Sequence, residues 1–139
     1  MHFEREFTVR RSRAEVAALL DCDETIESLL PNTTISTRED GTREARTPSP
    51  LRQSRDTRFV FHGHADGGGL RFEKICDGNI WRSLDGEVRL EGIQGDLTRV
   101  QLRMEGRTRA LVPELTIRGP MRDRIEQMTK ALRARLEGT

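Results

Sequence analysis

The sequence predicts an α+β fold, one domain over residues 1–139, in which about six to seven antiparallel strands wrap a long C-terminal α-helix. Three observations carry that expectation. A capping box precedes a short helical pattern near the N-terminus, strand-length β-prone runs alternate with Gly-containing turns between residues 33 and 108, and an apolar stripe at helical spacing closes the chain.

The elements follow in order. His2 to Arg10 alternates, with Phe3, Phe7 and Val9 on one side and Glu4, Glu6 and Thr8 on the other, the period of a half-buried strand that Arg5 interrupts. Ser12-Arg13-Ala14-Glu15 fits a capping box, so a helix burying Val16, Leu19 and Leu20 is expected. Asp21-Cys22-Asp23 breaks it and starts a second short helix carrying Ile26, Leu29 and Leu30, which Pro31 stops. Expected strands are Thr33–Arg38, Thr42–Thr47, Thr57–His64, Leu70–Asp77, Ile80–Leu84 leading into Glu87–Ile93, and Leu97–Thr108. Turns fall at Asp40-Gly41, Asp66 to Gly69, Asp77-Gly78, Asp85-Gly86 and Gly95-Asp96, and their regular spacing favours an antiparallel meander over parallel crossovers. Thr47 to Arg55, with Pro48 and Pro50, reads as a loop able to serve as a lid. Gly119-Pro120 places proline at the first position of the final helix and Gly138 at its C-terminal cap. Between them Met121, Ile125, Met128, Leu132 and Leu136 form one stripe, and Glu126 and Lys130 stand as an i,i+4 surface pair.

Composition narrows the function classes. The 24 basic and 23 acidic side chains leave a net charge of +1, so no global field exists to hold a polyanion, and a nucleic-acid partner is not expected. The arginine-rich run Arg99 to Arg109 reads as a solvated strand face, since no aromatics interleave to stack bases. No apolar run approaches the roughly 20 residues of a membrane span, and the charged, alternating N-terminus is unlike a signal peptide, so a cytoplasmic protein without stable membrane insertion is expected. Cys22 and Cys76 lack motif spacing and read as free thiols.

The order strand, two helices, a run of strands and a long helix resembles the helix-grip fold of the START-like (SRPBCC) superfamily. Phe7-Thr8-Val9 followed by Arg13-Ala14-Glu15-Val16-Ala17-Ala18-Leu19-Leu20 looks like that family's first strand and helix. Leu97-Thr98-Arg99-Val100 resembles its late strand, and Leu111 to Leu136 its passage into the terminal helix. The resemblance covers nearly the whole chain. It implies a cavity between sheet and helix for an apolar or amphipathic molecule such as a lipid, quinone or polyketide-like compound, and it implies no one reaction. With no tyrosine, one tryptophan and five phenylalanines, the chain departs from aromatic-rich relatives, and a tyrosine-dependent cyclisation is excluded.

Candidate lining residues come from the apolar rows. Phe59, Phe61, Phe72, Leu90, Leu102 and Met104 stand on strand faces opposite Met121, Ile125, Met128 and Leu132, and Trp81 belongs to a row that its neighbours do not settle. Methionine adapts to ligands of different shape but is also common core filler. Arg5 and Lys74 lie on apolar strand faces, where either could anchor a ligand anion. A bulge, a nearby carboxylate partner or snorkelling at a strand end explains them without a ligand, and that reading is preferred. His62-Gly63-His64 puts two imidazoles on one strand face, but Phe59 and Phe61 mark the opposite face as buried, so surface histidines rather than a metal site are expected. Asp66-Gly67-Gly68-Gly69 leads into a strand rather than a helix and so reads as a hairpin connection, not a phosphate loop. No catalytic residue, metal or cofactor is indicated: there is no Gly-x-Ser-x-Gly elbow and no histidine beside either cysteine. The sequence therefore favours binding or transport of a small hydrophobic molecule. A cyclase-type enzyme on the same fold and an interaction module with a filled cavity remain alternatives, and a homodimer is compatible with all three.

Overall fold

The structure, a computed structural model, describes residues 1–48, 56–63, 68–76 and 80–138. In chain order the described elements are β1 (His2–Val9), α1 (Arg13–Leu20), α2 (Asp23–Leu29), β2 (Thr34–Thr37), β3 (Arg43–Thr47), β4 (Thr57–Gly63), β5 (Gly69–Lys74), β6 (Trp81–Gln94), β7 (Leu97–Thr108) and α3 (Leu115–Glu137). The seven described strands make one open sheet in the order β1-β7-β6-β5-β4-β3-β2, antiparallel at every pairing. The two helices between β1 and β2 carry the chain from one edge of the sheet to the other. From there β2 to β7 return as a meander, each strand beside the next.

The N-terminal helices form as the residues dictate. Ser12 sits in extended conformation at the N-cap of α1, and its hydroxyl accepts from the Glu15 backbone N–H at 3.2 Å. The same hydroxyl donates to the Glu15 carboxylate at 3.2 Å, tying the two side chains together. Thr98, buried in β7, donates to the Arg11 carbonyl at 2.7 Å and fastens the β1–α1 turn to the sheet.

Two expected breaks are absent. Asp85-Gly86 is not a turn, because β6 runs unbroken from Trp81 to Gln94 with β5 and β7 paired to it on either side. Gly86 stands opposite Phe72, and a Cβ there would lie 2.3 Å from the Phe72 ring and 2.8 Å from the Arg103 carbonyl. Glycine marks a close approach here rather than a bend. Likewise α3 begins at Leu115, and Pro120 is its sixth residue rather than its first. Proline forfeits the bond to the carbonyl four residues back. That carbonyl belongs to exposed Thr116 in the first helical turn, where water can satisfy it.

Other boundaries differ by a residue or more: β2 and β3 are each trimmed, and β5 ends at Lys74. His64, residues 49–55 of the lid-like stretch Thr47 to Arg55, Asp66 and Gly67 of the next turn, and the Asp77-Gly78 turn lie outside the described residues. Gly138 does cap α3, with φ −82° rather than the left-handed value; a Cβ would stand 2.5 Å from the Ala134 carbonyl.

α3 lies across the inner face of the sheet, held at both flanks. On the β1 side Arg5 binds Glu126 and Arg11 Nε donates to the Leu136 carbonyl at 2.6 Å. On the α2 side Arg135 Nε donates to Thr25 Oγ1 at 3.1 Å. Ile125, Met128, Leu132 and Leu136 are buried along its inner stripe. At about 1.5–3 kcal/mol each their burial contributes roughly 6–12 kcal/mol as an upper estimate, far more than the helix's exposed ion pairs.

Candidate functional site

The inner face gathers the side chains that alternation places there. Phe59, Phe61 and Phe72 form an aromatic group on β4 and β5: Phe61 stacks on Phe72 with centroids 5.3 Å apart, and Phe59 meets Phe72 edge-on at 6.1 Å. Leu90, Leu102 and Met104 continue the surface on β6 and β7, and Ile125, Met128 and Leu132 come down from α3. All of these are buried in one core cluster, and Met121 is half-buried at its edge.

Trp81 completes the row at one end. A register shift between Trp81 and Ser83 makes a bulge, so Trp81 and Leu84 are both buried although they stand three positions apart, which regular alternation would put on opposite faces. The indole lies over Gly106, where a Cβ would stand 2.6 Å from Trp81 Cζ3. Here the sheet–helix seam reaches the surface as a narrow crevice lined by Met1, Phe3, Trp81, Leu84, Met104, Gly106 and Met121, with Glu105 at its rim. Nowhere is it wide enough to seat a water molecule. Met104 and Met121, both unbranched thioethers able to adapt their shape, form part of its wall.

The two cations on apolar rows have separate fates. Arg5 reaches Glu126 on α3 with two nitrogens, Nε and Nη2, each 2.6 Å from one carboxylate oxygen, and also donates to the Glu4 carbonyl at 2.7 Å. Its charge is thus compensated within the chain. Glu126 engages Arg5 across the β1–α3 interface, where the sequence suggested Lys130. Lys74, half-buried at the end of β5, holds its ammonium 5.8 Å from the centroid of the Phe59 ring, a cation–π contact at the edge of the aromatic group.

Buried polar side chains among the described residues are Thr25 and Thr98, and both hydroxyls donate to backbone carbonyls, Thr25 to Leu19 and Thr98 to Arg11. No buried side-chain nitrogen or oxygen among the described residues is left without a hydrogen bond. The outer face is different. His62 lies there in a polar groove of about 240 Å³ with Arg71, Glu73, Asp85, Glu87, Arg103 and Glu105, and Glu87 is paired to Arg103 at 3.3 Å. Among the described residues no three His, Cys, Asp or Glu side chains gather closely enough to hold a metal ion.

Leu84, Gly86 and Gly106 belong to this surface although the sequence reading passed over them. Alternation places both glycines in the apolar rows of β6 and β7, and a glycine in such a row facing an aromatic is the signal that could have found them. The bulge at Trp81 has no comparable local signature.

The topology and the helix across the sheet define the class: this is the helix-grip fold of START-like proteins. Solved structures similar over nearly the whole chain include the Zhui aromatase/cyclase from Streptomyces sp. R1128, at 17% identity and TM-score 0.73, covering 98% of this chain and 91% of that one. A START superfamily protein from Mycobacterium smegmatis matches at 14% identity and TM-score 0.69, covering 97% and 96%. A Thalictrum norcoclaurine synthase, in complex with a transition-state analogue, matches at 14% and 0.69, covering 98% and 93%. No family model matches the chain, and no curated protein does.

Proposed function

We propose that residues 1–139 act as one domain that binds or carries a small hydrophobic or amphipathic molecule between the sheet and α3. Phe59, Phe61, Phe72, Trp81, Leu90, Leu102, Met104, Met121, Ile125, Met128 and Leu132 would form its apolar contacts, and Lys74 would meet a polar or anionic end. The observation that carries the reading is chemical: the surface facing α3 is apolar and rich in aromatic and methionine side chains, and half-buried Met121 stands at its edge beside the crevice. Ligand apolar area buried there contributes about 25 cal/mol per Å², less the cost of association and of opening the seam.

A cyclase-type enzyme on this fold would need ionisable groups converging on the inner surface. The two buried polar side chains noted above are engaged with backbone carbonyls, so binding is the better supported of the two. The fold also occurs in a norcoclaurine synthase in complex with a transition-state analogue, which supports ligand binding on this fold without naming a ligand for this chain.

Native mass spectrometry of the full chain purified from its own cells tests the reading by looking for a co-purifying lipid, quinone or polyketide-like mass. Met128→Trp adds bulk beneath α3 and is expected to cut retained ligand at least tenfold, with Met121→Trp as a less buried counterpart. A ligand-free mass throughout, or ligand retention unchanged in a well-folded Met128→Trp protein, would favour the filled-core interaction module.

A further inference from the structure

The segment joining β7 to α3 displays two leucines with almost nothing on them. Leu111 is 96% exposed and Leu115 is 81% exposed, an exposure the packed core gives no reason for. The segment is nonetheless well tied down. The Val112 N–H donates to the Arg109 carbonyl at 2.8 Å, Thr108 Oγ1 donates to the Val112 carbonyl at 2.7 Å, and the Arg109 N–H donates to the Ile80 carbonyl at 3.0 Å. Little further ordering is needed for the leucines to meet a partner.

Charge identifies that partner. Residues 105–124 hold Arg107, Arg109, Arg118, Arg122 and Arg124, all exposed, against Glu105, Glu114 and Asp123, and the Glu114 carboxylate lies 3.8 Å from the N-terminal ammonium. In a chain of net charge +1 this is a local basic excess. Exposed Ile80 and Arg82 adjoin it at the start of β6. Two leucines offer far less area than the roughly 800 Å² per partner of a stable protein interface. Leucines set among arginines suit a bilayer boundary, where apolar side chains enter the acyl region and cations meet phosphates.

We infer that the β7–α3 segment docks on an anionic lipid bilayer surface, with Leu111 and Leu115 entering it and the arginines contacting headgroups. The same segment borders Trp81 and leads into Met121, so docking sets the crevice against the membrane. That consequence rests on the binding reading above; the docking does not, because it is measured with cargo-free vesicles.

Co-flotation of the full chain with phosphatidylcholine vesicles and with phosphatidylcholine–phosphatidylglycerol vesicles tests it. The protein is expected to float with the anionic vesicles only, less so as salt is raised. Leu111→Ser/Leu115→Ser, at exposed positions, should weaken that binding at least tenfold, and Arg118→Gln/Arg122→Gln several-fold. Failure of the unaltered protein to bind anionic vesicles overturns the proposal, as does undiminished binding by the leucine variant. Self-association in sedimentation that disappears in the leucine variant, without vesicle binding, would replace the bilayer by a second copy of the chain.

Discussion

Gly86→Ala tests the inner-face packing most sharply, because local preference and tertiary structure predict opposite signs. Glycine inside a strand costs roughly 0.5–1 kcal/mol relative to alanine, so propensity alone predicts that the substitution stabilises. The structure puts the new Cβ 2.3 Å from Phe72 Cζ, 2.7 Å from Phe72 Cε2 and 2.8 Å from the Arg103 carbonyl oxygen. Phe72 cannot swing freely, since it stacks on Phe61, and the Arg103 carbonyl belongs to the β6–β7 ladder. Overpacking of this kind costs about 1–3 kcal/mol. Approaches of 2.3–2.8 Å put the cost in the upper half of that range, so after subtraction of the propensity gain Gly86→Ala is expected to destabilise by roughly 1–2.5 kcal/mol, or about 3–9 °C in Tm for a chain of this size. Urea denaturation followed by far-UV circular dichroism measures it, with the slope unchanged. Gly63→Ala is the control: nothing lies within 4 Å of its Cβ position, and it should be neutral or slightly stabilising. A Gly86→Ala protein as stable as the parent would refute the packing assigned to Phe72.

Two further outcomes can be checked independently. Ser12→Ala removes the acceptor for the Glu15 N–H and should cost about 1 kcal/mol in urea denaturation, while Ser12→Asp should keep most of it. Hydrogen bonds from the Thr42 hydroxyl and then the Thr42 N–H hold the Asp40 carboxyl below its ordinary 3.8. A depressed folded-state value means that any stabilisation is present above pH 3.8 and is lost as pH falls through the lower folded value. Thr42→Val should therefore move the Asp40 midpoint up towards 3.8 in a carboxyl-carbon NMR titration, and an unmoved midpoint would reject the hydroxyl as the main cause.

The sequence by itself determined the kinds of element and most of the inward rows. Alternation in residues 3–9 and 97–108, the Ser12–Glu15 box and the stripe from Met121 to Leu136 are periodicities that a side chain expresses through its nearest chain neighbours. Phe59, Phe61, Phe72 and Met104 were legible as buried for the same reason. Only the tertiary structure decided which groups meet across distance. A carboxylate partner for Arg5 could be expected but not named until α3 brings Glu126, 121 positions away, against it. Trp81 gains its face from a bulge against β7, and β6 continues through Asp85-Gly86 because strands on both sides hold it extended. Pro120 stays inside α3 because the carbonyl it leaves unpaired is exposed. Periodicity is a property of neighbouring residues, whereas charge partners, bulges and tolerated breaks depend on atoms supplied by distant segments, and those exist only once the chain has folded.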